Sequence, residues 1–328
     1  MVLEASSDTS ARCLRGRCHD VRMARRSVLM VGLGTIAQTH LQVLGRRADV
    51  SVVGGVDPVA EGVGVPVFRS LDDALAAEPA PDLVVVATPT ETHVRLVREV
   101  VERTTALVLS EKPLAATRAE VESLTDVAER VRVAHHFAFS PEVEWALGRV
   151  RAVGWSRPTQ VLSVFHDAYA GLVEARLASY VSTWVDSGPN QLSLLAPFVG
   201  PCEIAAHTDR RDRAVTVLEH DGGRTVLTSN WLAADSSKQT TLDYADGRQV
   251  RMDHTSLTAT VLEDGLVTEH VGYAGHAGRK EAHYRGLYDV LLSDPSDARL
   301  GVPLAAELAR LLEAADGAPA VDLAWTTI

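Results

Sequence analysis

The sequence predicts an α/β protein: a doubly wound parallel sheet, followed by an α+β unit built on a large, mostly antiparallel open sheet. Three observations carry that prediction. Apolar strand-like runs and amphipathic helix-like runs alternate from residue 27 to residue 139, the rhythm of a parallel sheet with helices on both faces. A glycine-rich turn, "VGLGTIAQTH" at residues 31–40, joins the first run to the second. After residue 141, short apolar runs are separated by Asp221-Gly222, Asp246-Gly247 and Asp264-Gly265, pairs that favour hairpin turns.

In order along the chain, "SVLMVGLG" reads as a buried strand, "TIAQTHLQVLGRR" as a helix and "VSVVGGVD" as a second buried strand. "SLDDALAAE" is a helix with Ser70 as N-cap and Asp72 and Asp73 in its first turn. "PDLVVVATP" is a strand, "ETHVRLVREVVER" a helix, "ALVLSEKP" a strand, "TRAEVESLTDVAER" a helix, and "VRVAHHFAF" a closing strand. "FSP" at 139–141 marks a change of rhythm. A helix, "EVEWALGRV", leads into the strands "TQVLSVFH", "CEIAAHTD", "AVTVLEHD", "RTVLTSNW", "QTTLDYAD", "RQVRMDH", "LTATVLED" and "LVTEHVG". Helices are expected at "DSGPNQLSLLAPF", "EAHYRGLYDVLLSD" and "LAAELARLLEAAD". The domain reading is residues 27–140 for the parallel unit and 141–328 for the second unit.

Bulk properties narrow the class. The chain has 328 residues, 46% of them hydrophobic, enough for two domains with cores. A formal charge of −11, from 32 basic and 43 acidic side chains, argues against nucleic acid or anionic membrane as a general partner. Basic residues cluster only in residues 1–26, which lack periodicity and the apolar core of a secretory signal; a disordered extension is expected there, with Met23 as a candidate translation start. No apolar run is long enough to span a membrane. Cys13, Cys18 and Cys202 make a disulfide framework improbable and suit a reducing, cytoplasmic setting. Cys13, Cys18 and His19 match no zinc spacing, His254, His270, His276 and His283 form no metal-like group, and no metal is expected.

The glycine turn supplies the first chemistry. Gly32 lets the backbone turn sharply out of the strand, Gly34 lets it approach a pyrophosphate, and Ala37 is small enough for close helix–strand packing. The helix starting near Thr35 and Ile36 turns its positive end toward phosphate. Asp57, 25 residues beyond Gly32, ends the next strand where an acid can bind both ribose hydroxyls. It would repel a 2′-phosphate and no arginine immediately follows it, so NAD is expected over NADP. Ligands in such sheets bind beyond the carboxyl ends of the strands. Two more segments fall there, "ATPTETH" with Thr88, Pro89 and His93, and "SEKPLA" with Glu111 and Lys112.

Taken together, the glycine turn with Ala37, Thr88-Pro89 with His93, the Glu111-Lys112-Pro113 triplet, the "FSP" junction and "DSGPNQLSLL" at 186–195 resemble the glucose–fructose oxidoreductase and inositol dehydrogenase family, Gfo/Idh/MocA. The resemblance covers nearly everything from residue 27 onward. It implies a Rossmann domain, then a domain whose open sheet carries the substrate cleft on one side and often a subunit interface on the other, hence a homodimer or homotetramer. It further implies that Lys112 is the catalytic lysine, with Pro113 usually in a cis peptide. A lysine beside a nicotinamide can donate a proton to a carbonyl oxygen or accept one from an alcohol. Many family members carry Asp-x-Gly-x-His where this chain has Asp186-Ser187-Gly188-Pro189-Asn190. Asparagine can orient a hydroxyl but cannot relay a proton. Proton transfer then falls to Lys112, helped by Asp186. A similar Asp-x-Gly-x-Asn-x-Leu-Ser arrangement occurs in the family's aldose 1-dehydrogenases. The plainer alternative is a helix start capped by Asp186.

Further substrate candidates are His136, His166, Tyr169 and Trp184. His135 and His136, as neighbours on a strand, would point to opposite faces, so one would face the cleft. Ala138 stands where many relatives have an arginine, so contacts made by that side chain do not transfer. The expected function is hydride transfer between a nicotinamide and a sugar, cyclic polyol or sugar-derived small molecule. Two alternatives remain: a keto-sugar or imine reductase in secondary-metabolite biosynthesis, and a non-catalytic dinucleotide-binding regulator. Release of NADH on mixing NAD with aldoses favours the first reading, and oxidation of NADH only by a ketone or imine favours the reductase.

Overall fold

The computed structural model describes residues 25–62, 64–273 and 278–321. Residues 1–24 of the expected extension, with Cys13, Cys18, His19 and Met23, lie outside the described residues, as does His276. The first strand opens at Arg26.

Six strands form the first sheet: β1 (Arg26–Val31), β2 (Val50–Val56), β3 (Val67–Phe68), β4 (Leu83–Val86), β5 (Leu107–Ser110) and β6 (Val131–Val133). Their order is β3-β2-β1-β4-β5-β6, and every pairing is parallel. Between them run α1 (Thr35–Gly45), α2 (Leu71–Ala77), α3 (His93–Arg103) and α4 (Arg118–Glu122). The predicted Ser70 cap is present, accepting from the Asp73 amide. The strands are buried on both faces because neighbouring residues split between two cores. Leu29 and Val31 join the core with Leu71, Val97, Val100 and Val121, while Val28 and Met30 join the one with Ala37, Val43 and Leu44. Each such buried aliphatic contributes about 1.5–3 kcal/mol.

The second unit holds α5 (Pro141–Val153), β7 (Gln160–Ala168), α6 (Val173–Tyr180), α7 (Thr183–Val199), β8 (Cys202–Asp209), β9 (Arg213–His220), β10 (Gly223–Asn230), β11 (Leu232–Asp243), β12 (Arg248–Asp253), β13 (Thr258–Glu263) and β14 (Leu266–Gly272), then α8 (Arg279–Ser293) and α9 (Val302–Asp316). Its eight strands are ordered β14-β13-β12-β11-β7-β10-β9-β8. Only the β7–β10 pair is parallel. Leu192, Leu195 and Phe198 of α7 and Val143 and Leu147 of α5 cover one face, against Phe165, Leu218, Leu227 and Val250. The other face is open, with Leu162 and Leu232 exposed. The predicted fold class is therefore the observed one.

The end of the chain returns to the first sheet. Tyr284, Leu287, Tyr288 and Leu291 of α8 pack with Met30, Val85 and Leu109, and Val302, Ala305 and Ala309 of α9 pack on the opposite face. A linear division at residue 140 does not contain this crossing. Close approach is possible because position 286 is glycine: a Cβ there would sit 2.1 Å from the Phe139 carbonyl oxygen.

Several elements differ from expectation: β11 starts at Leu232 rather than Gln239, β3 and α6 have no counterpart in the sequence reading, and three further boundaries shift. "TRAEVESLTDVAER" is not one helix but the short α4, closed at its start by a Thr117–Glu120 capping box, and a 3₁₀ turn over Thr125–Arg130. β6 stops at Val133 rather than running to Phe139. The His136 amide bonds the Ala134 carbonyl and His135 has φ −73° and ψ 61°, an inverse γ-turn that ends the strand and starts a 3₁₀ turn over His136–Phe139. Finally, α7 begins at Thr183 with Ser182 as its cap, so Asp186 lies inside the first turn and caps nothing. Among the described residues no helix is long and apolar enough to cross a membrane.

Candidate active site

The turn between β1 and α1 has the geometry its glycines predict. Gly32 has φ +89°, and a Cβ there would lie 2.7 Å from the Ala87 carbonyl oxygen at the end of β4, so only glycine fits without strain. Gly34 is the N-cap of α1, with open space where a Cβ would project. No side chain caps α1 and no acidic residue lies in its first turn. Its first amides, including those of Thr35 and Ile36, are therefore donors for an anion. Ala37 is fully buried beneath them.

Asp57 follows β2 and faces this turn. Its Oδ2 accepts from the Leu33 amide at 2.9 Å and its Oδ1 from those of Val59 and Ala60 at 2.9 and 2.8 Å. Burial opposes its charge, but these amides and the nearby Arg69 hold the carboxyl below the usual range. A carboxylate offers about four lone-pair positions, so one remains for a hydroxyl. Sequence reasoning looked for an arginine immediately after Asp57 and missed Arg69, which the parallel β2–β3 pairing brings alongside. Its Nη1 donates to the carbonyls of Pro58 and Ala60 at 3.1 and 3.2 Å, and its Nη2 pairs with Glu61 at 3.1 Å. The donor set, open glycine and acidic strand end fit a dinucleotide.

At the ends of β4 and β5 two loops meet. Thr88 Oγ1 lies 2.6 Å from Thr92 Oγ1. His93 is buried, its ring nitrogens 2.8 Å from the Thr88 carbonyl oxygen and 2.9 Å from that of Pro113. It ties the Thr88-Pro89 loop to the Lys112-Pro113 loop and, contrary to expectation, turns no free nitrogen toward a ligand. The Lys112–Pro113 peptide is cis.

Glu111 is buried at the centre of a network that sequence reasoning did not find. Its Oε1 accepts from Tyr284 Oη at 2.5 Å and lies 2.9 Å from His40 Nε2, while Oε2 accepts the Lys112 amide at 3.1 Å. His40 Nδ1 lies 2.6 Å from Tyr288 Oη. With Nε2–H donating to the carboxylate, Nδ1 accepts the Tyr288 hydroxyl, and every member is satisfied. Burial raises the Glu111 pKa, but the hydrogen bonds and charge of its neighbours pull it below the ordinary value. The signal was His40 itself, a histidine on the core side of α1. Its partners lie 71 and 248 residues away.

Lys112 points out of this network toward α7. Its Nζ donates to the Asp186 carbonyl at 3.1 Å and lies 3.5 Å from Asp186 Oδ1. Asn190, one helical turn on, donates from Nδ2 to the same carbonyl at 3.2 Å, and its buried Oδ1 has no hydrogen-bond partner. Of the three residues named as catalytic candidates, Lys112 and Asn190 thus both bond the third, Asp186.

The substrate candidates fare differently. Trp184 is buried in the core of the second sheet, 5.1 Å from the His207 ring, because α7 starts before it and turns it inward. His166 sits on the open face of the sheet with Leu162, since β7 alternates and it is Asp167 that faces α7. Tyr169 follows β7, half-buried. His136 is buried, stacked on Tyr284 at 4.9 Å with its Nδ1 3.2 Å from His283 Nδ1. Burial, with the charges of His283 and Lys112, drives its pKa well down. No group of three or more metal-ligating side chains occurs among the described residues.

Residues 26–139 match the profile of the oxidoreductase family with an NAD-binding Rossmann fold. Over these residues the chain is similar to the NAD-binding domain of the Gfo/Idh/MocA oxidoreductases. The rhizopine catabolism protein MocA of Rhizobium meliloti is 30% identical over 140 residues, covering 40% of this chain and 44% of that protein. The aligned part thus spans less than half of that relative. A myo-inositol dehydrogenase from Corynebacterium glutamicum superposes with TM-score 0.75 at 17% identity, over 90% of this chain and 97% of that one. GenD2 from gentamicin A biosynthesis, solved in complex with NAD, gives TM-score 0.72 at 22% identity over 90% and 94%. At these identities the two structures carry the fold, and it extends through the second sheet.

Proposed function

We propose that this chain is a Gfo/Idh/MocA-type, NAD(H)-dependent oxidoreductase acting on a CH–OH or C=O carbon of a sugar, cyclic polyol or sugar-derived molecule. The observation that carries the reading is the contact of Lys112 Nζ with Asp186 beside Asn190, beyond the same strand ends as the glycine turn. Bound at that turn, a nicotinamide cofactor supplies the acceptor or donor of hydride. The protein supplies the proton path and the geometry. Lys112 Nζ, as the neutral amine, takes the proton from the reacting hydroxyl to become the ammonium, and as the ammonium gives a proton to a carbonyl oxygen in the reverse direction. Asp186 Oδ1 holds Lys112 and accepts from a substrate hydroxyl. Asn190 Oδ1, lacking a partner, accepts from a second hydroxyl. Because the asparagine does not titrate near neutrality, it orients the substrate and leaves proton transfer to Lys112, helped by Asp186.

Asp57 supports NAD over NADP, since its carboxylate would repel a 2′-phosphate, while the exposed Arg69 bonds backbone carbonyls and Glu61 in this structure. The open outer face of the second sheet supports a homodimer or homotetramer, and the absence of a long apolar helix among the described residues accords with a cytoplasmic place. The test has two steps. NAD, and NADP more weakly, should raise the melting temperature; if neither does, the reading fails. Lys112→Ala should then lower turnover by at least about 10²-fold, the scale of general acid–base catalysis, with NAD binding retained. Near-wild-type turnover would remove Lys112 from the chemistry.

A further inference from the structure

Within electrostatic reach of Asp186 lies charge that the Lys112–Asp186 contact does not use. On the face of the second sheet that looks toward α7, Asp167 of β7 and Lys238 of β11 form a buried ion pair. Lys238 Nζ lies 5.0 Å from the centre of the Phe165 ring, Phe165 packs on Phe137 at 4.9 Å, and the Arg279 guanidinium lies 5.5 Å from the centre of the Phe137 ring. Phe137 follows His136, whose ring stacks on Tyr284, and Tyr284 donates to Glu111 next to Lys112. A continuous set of packed rings therefore links both cations to the loop that carries Lys112.

Arg279 differs from Lys238 in one respect. It opens α8 half-buried, yet its guanidinium forms no hydrogen bond or ion pair among the described residues. Of the nearby carboxylates, Asp167 is paired with Lys238, and Glu142 is held through Oε1 by Ser140 and His254, while its buried Oε2 bonds nothing and does not pair with Arg279. Burial lowers the Arg279 pKa, with Asp167 and Glu142 opposing it only through space. A largely dehydrated cation without an acceptor is costly, and supplying the acceptor recovers the cost. A guanidinium is planar and presents paired N–H groups that match a carboxylate or a phosphate.

We propose that the substrate of this site carries an oxyanion, a carboxylate or a phosphate, which Arg279 receives while the reacting carbon lies at Lys112. This rests on the oxidoreductase reading and narrows its substrate class to acidic sugars and polyols. Lys238 is a positioning residue: it neutralises Asp167, which would otherwise repel the oxyanion.

Calorimetry on the NAD-loaded full chain tests the proposal, with D-glucose, D-glucuronate, its methyl ester and D-glucose 6-phosphate as probes. NAD binding is measured first, so failure of the dinucleotide reading appears separately. The expected result is that at least one charged probe binds about tenfold or more tighter than its neutral counterpart. Glucuronate alone would identify a carboxylate, and glucose 6-phosphate alone a phosphate. Arg279→Met, which keeps the stem over Phe137, should erase the preference by about ten- to a hundredfold, the value of a charged hydrogen bond. Arg279→Lys should keep part of it, and both variants should bind NAD as before. Equal binding of charged and neutral probes, a preference that survives Arg279→Met, or binding of none of the probes overturns the proposal.

Discussion

Replacing Glu111 with alanine should destabilise the protein far more than a loop substitution. The carboxylate is the common acceptor of His40, Tyr284 and the Lys112 amide, and the side chains of His40 and Tyr284 are fully buried. Alanine leaves both donors without an acceptor where water does not reach. Each orphaned buried group costs about 1–3 kcal/mol. Two orphaned donors together cost about 2–6 kcal/mol. Because His40 is on α1 and Tyr284 on α8, the loss also loosens the contact by which the end of the chain covers the first sheet. Urea denaturation of the dinucleotide-free chain should show about 2–6 kcal/mol lost for Glu111→Ala. At about 2–4 °C per kcal/mol, the melting temperature should fall by roughly 10 °C. Glu111→Gln, which keeps one acceptor oxygen, should lose about half as much. A loss under about 1 kcal/mol for Glu111→Ala would show that the network holds nothing together, and the role given to His40 would fall with it.

The two turn glycines should separate stability from binding. Gly32→Ala forces a side chain into positive φ and against the Ala87 carbonyl, and should cost at least about 2 kcal/mol in denaturation. Gly34→Ala, whose Cβ meets nothing, should leave stability within about 1 kcal/mol while weakening NAD in titration. Acid should destabilise the fold through His135, whose pKa burial lowers from 6.5 to about 4. Between those values the unfolded chain binds a proton that the folded one refuses, so stability falls as pH drops from 6.5 toward 4, by up to about 3 kcal/mol. Urea midpoints across that range should shift accordingly, and less for His135→Asn.

The parallel unit was legible because its signals are local. Apolar runs of strand length, a Ser70 cap and a glycine turn each concern residues a few positions apart, and each is where it was expected. Boundaries failed where a local signal had a near double. "DSGPN" resembles a helix start, but Ser182 caps α7 four residues earlier, and Pro189 sits inside the helix. The apolar run through Phe139 resembles a strand, but it is apolar because a buried turn also excludes water.

What the sequence concealed is the pairing of charges across elements. Arg69 reaches Asp57's loop through strand pairing, Tyr284 and Tyr288 join the His40–Glu111 pair through the return of α8, and Arg279 reaches Phe137 from the start of that same helix. None of these has a spacing to read. The histidines show the same limit from the other side. Period-two alternation was applied to His135 and His136, where no strand exists, and not to His166 and Asp167, where β7 does obey it and turns Asp167, not His166, toward α7. The cofactor half of the site is built by one turn and its helix, so its chemistry is written in consecutive residues. The proposed substrate half lies where β7, β11, α7 and α8 converge, so the specificity assigned to it rests on contacts that only the folded chain brings together.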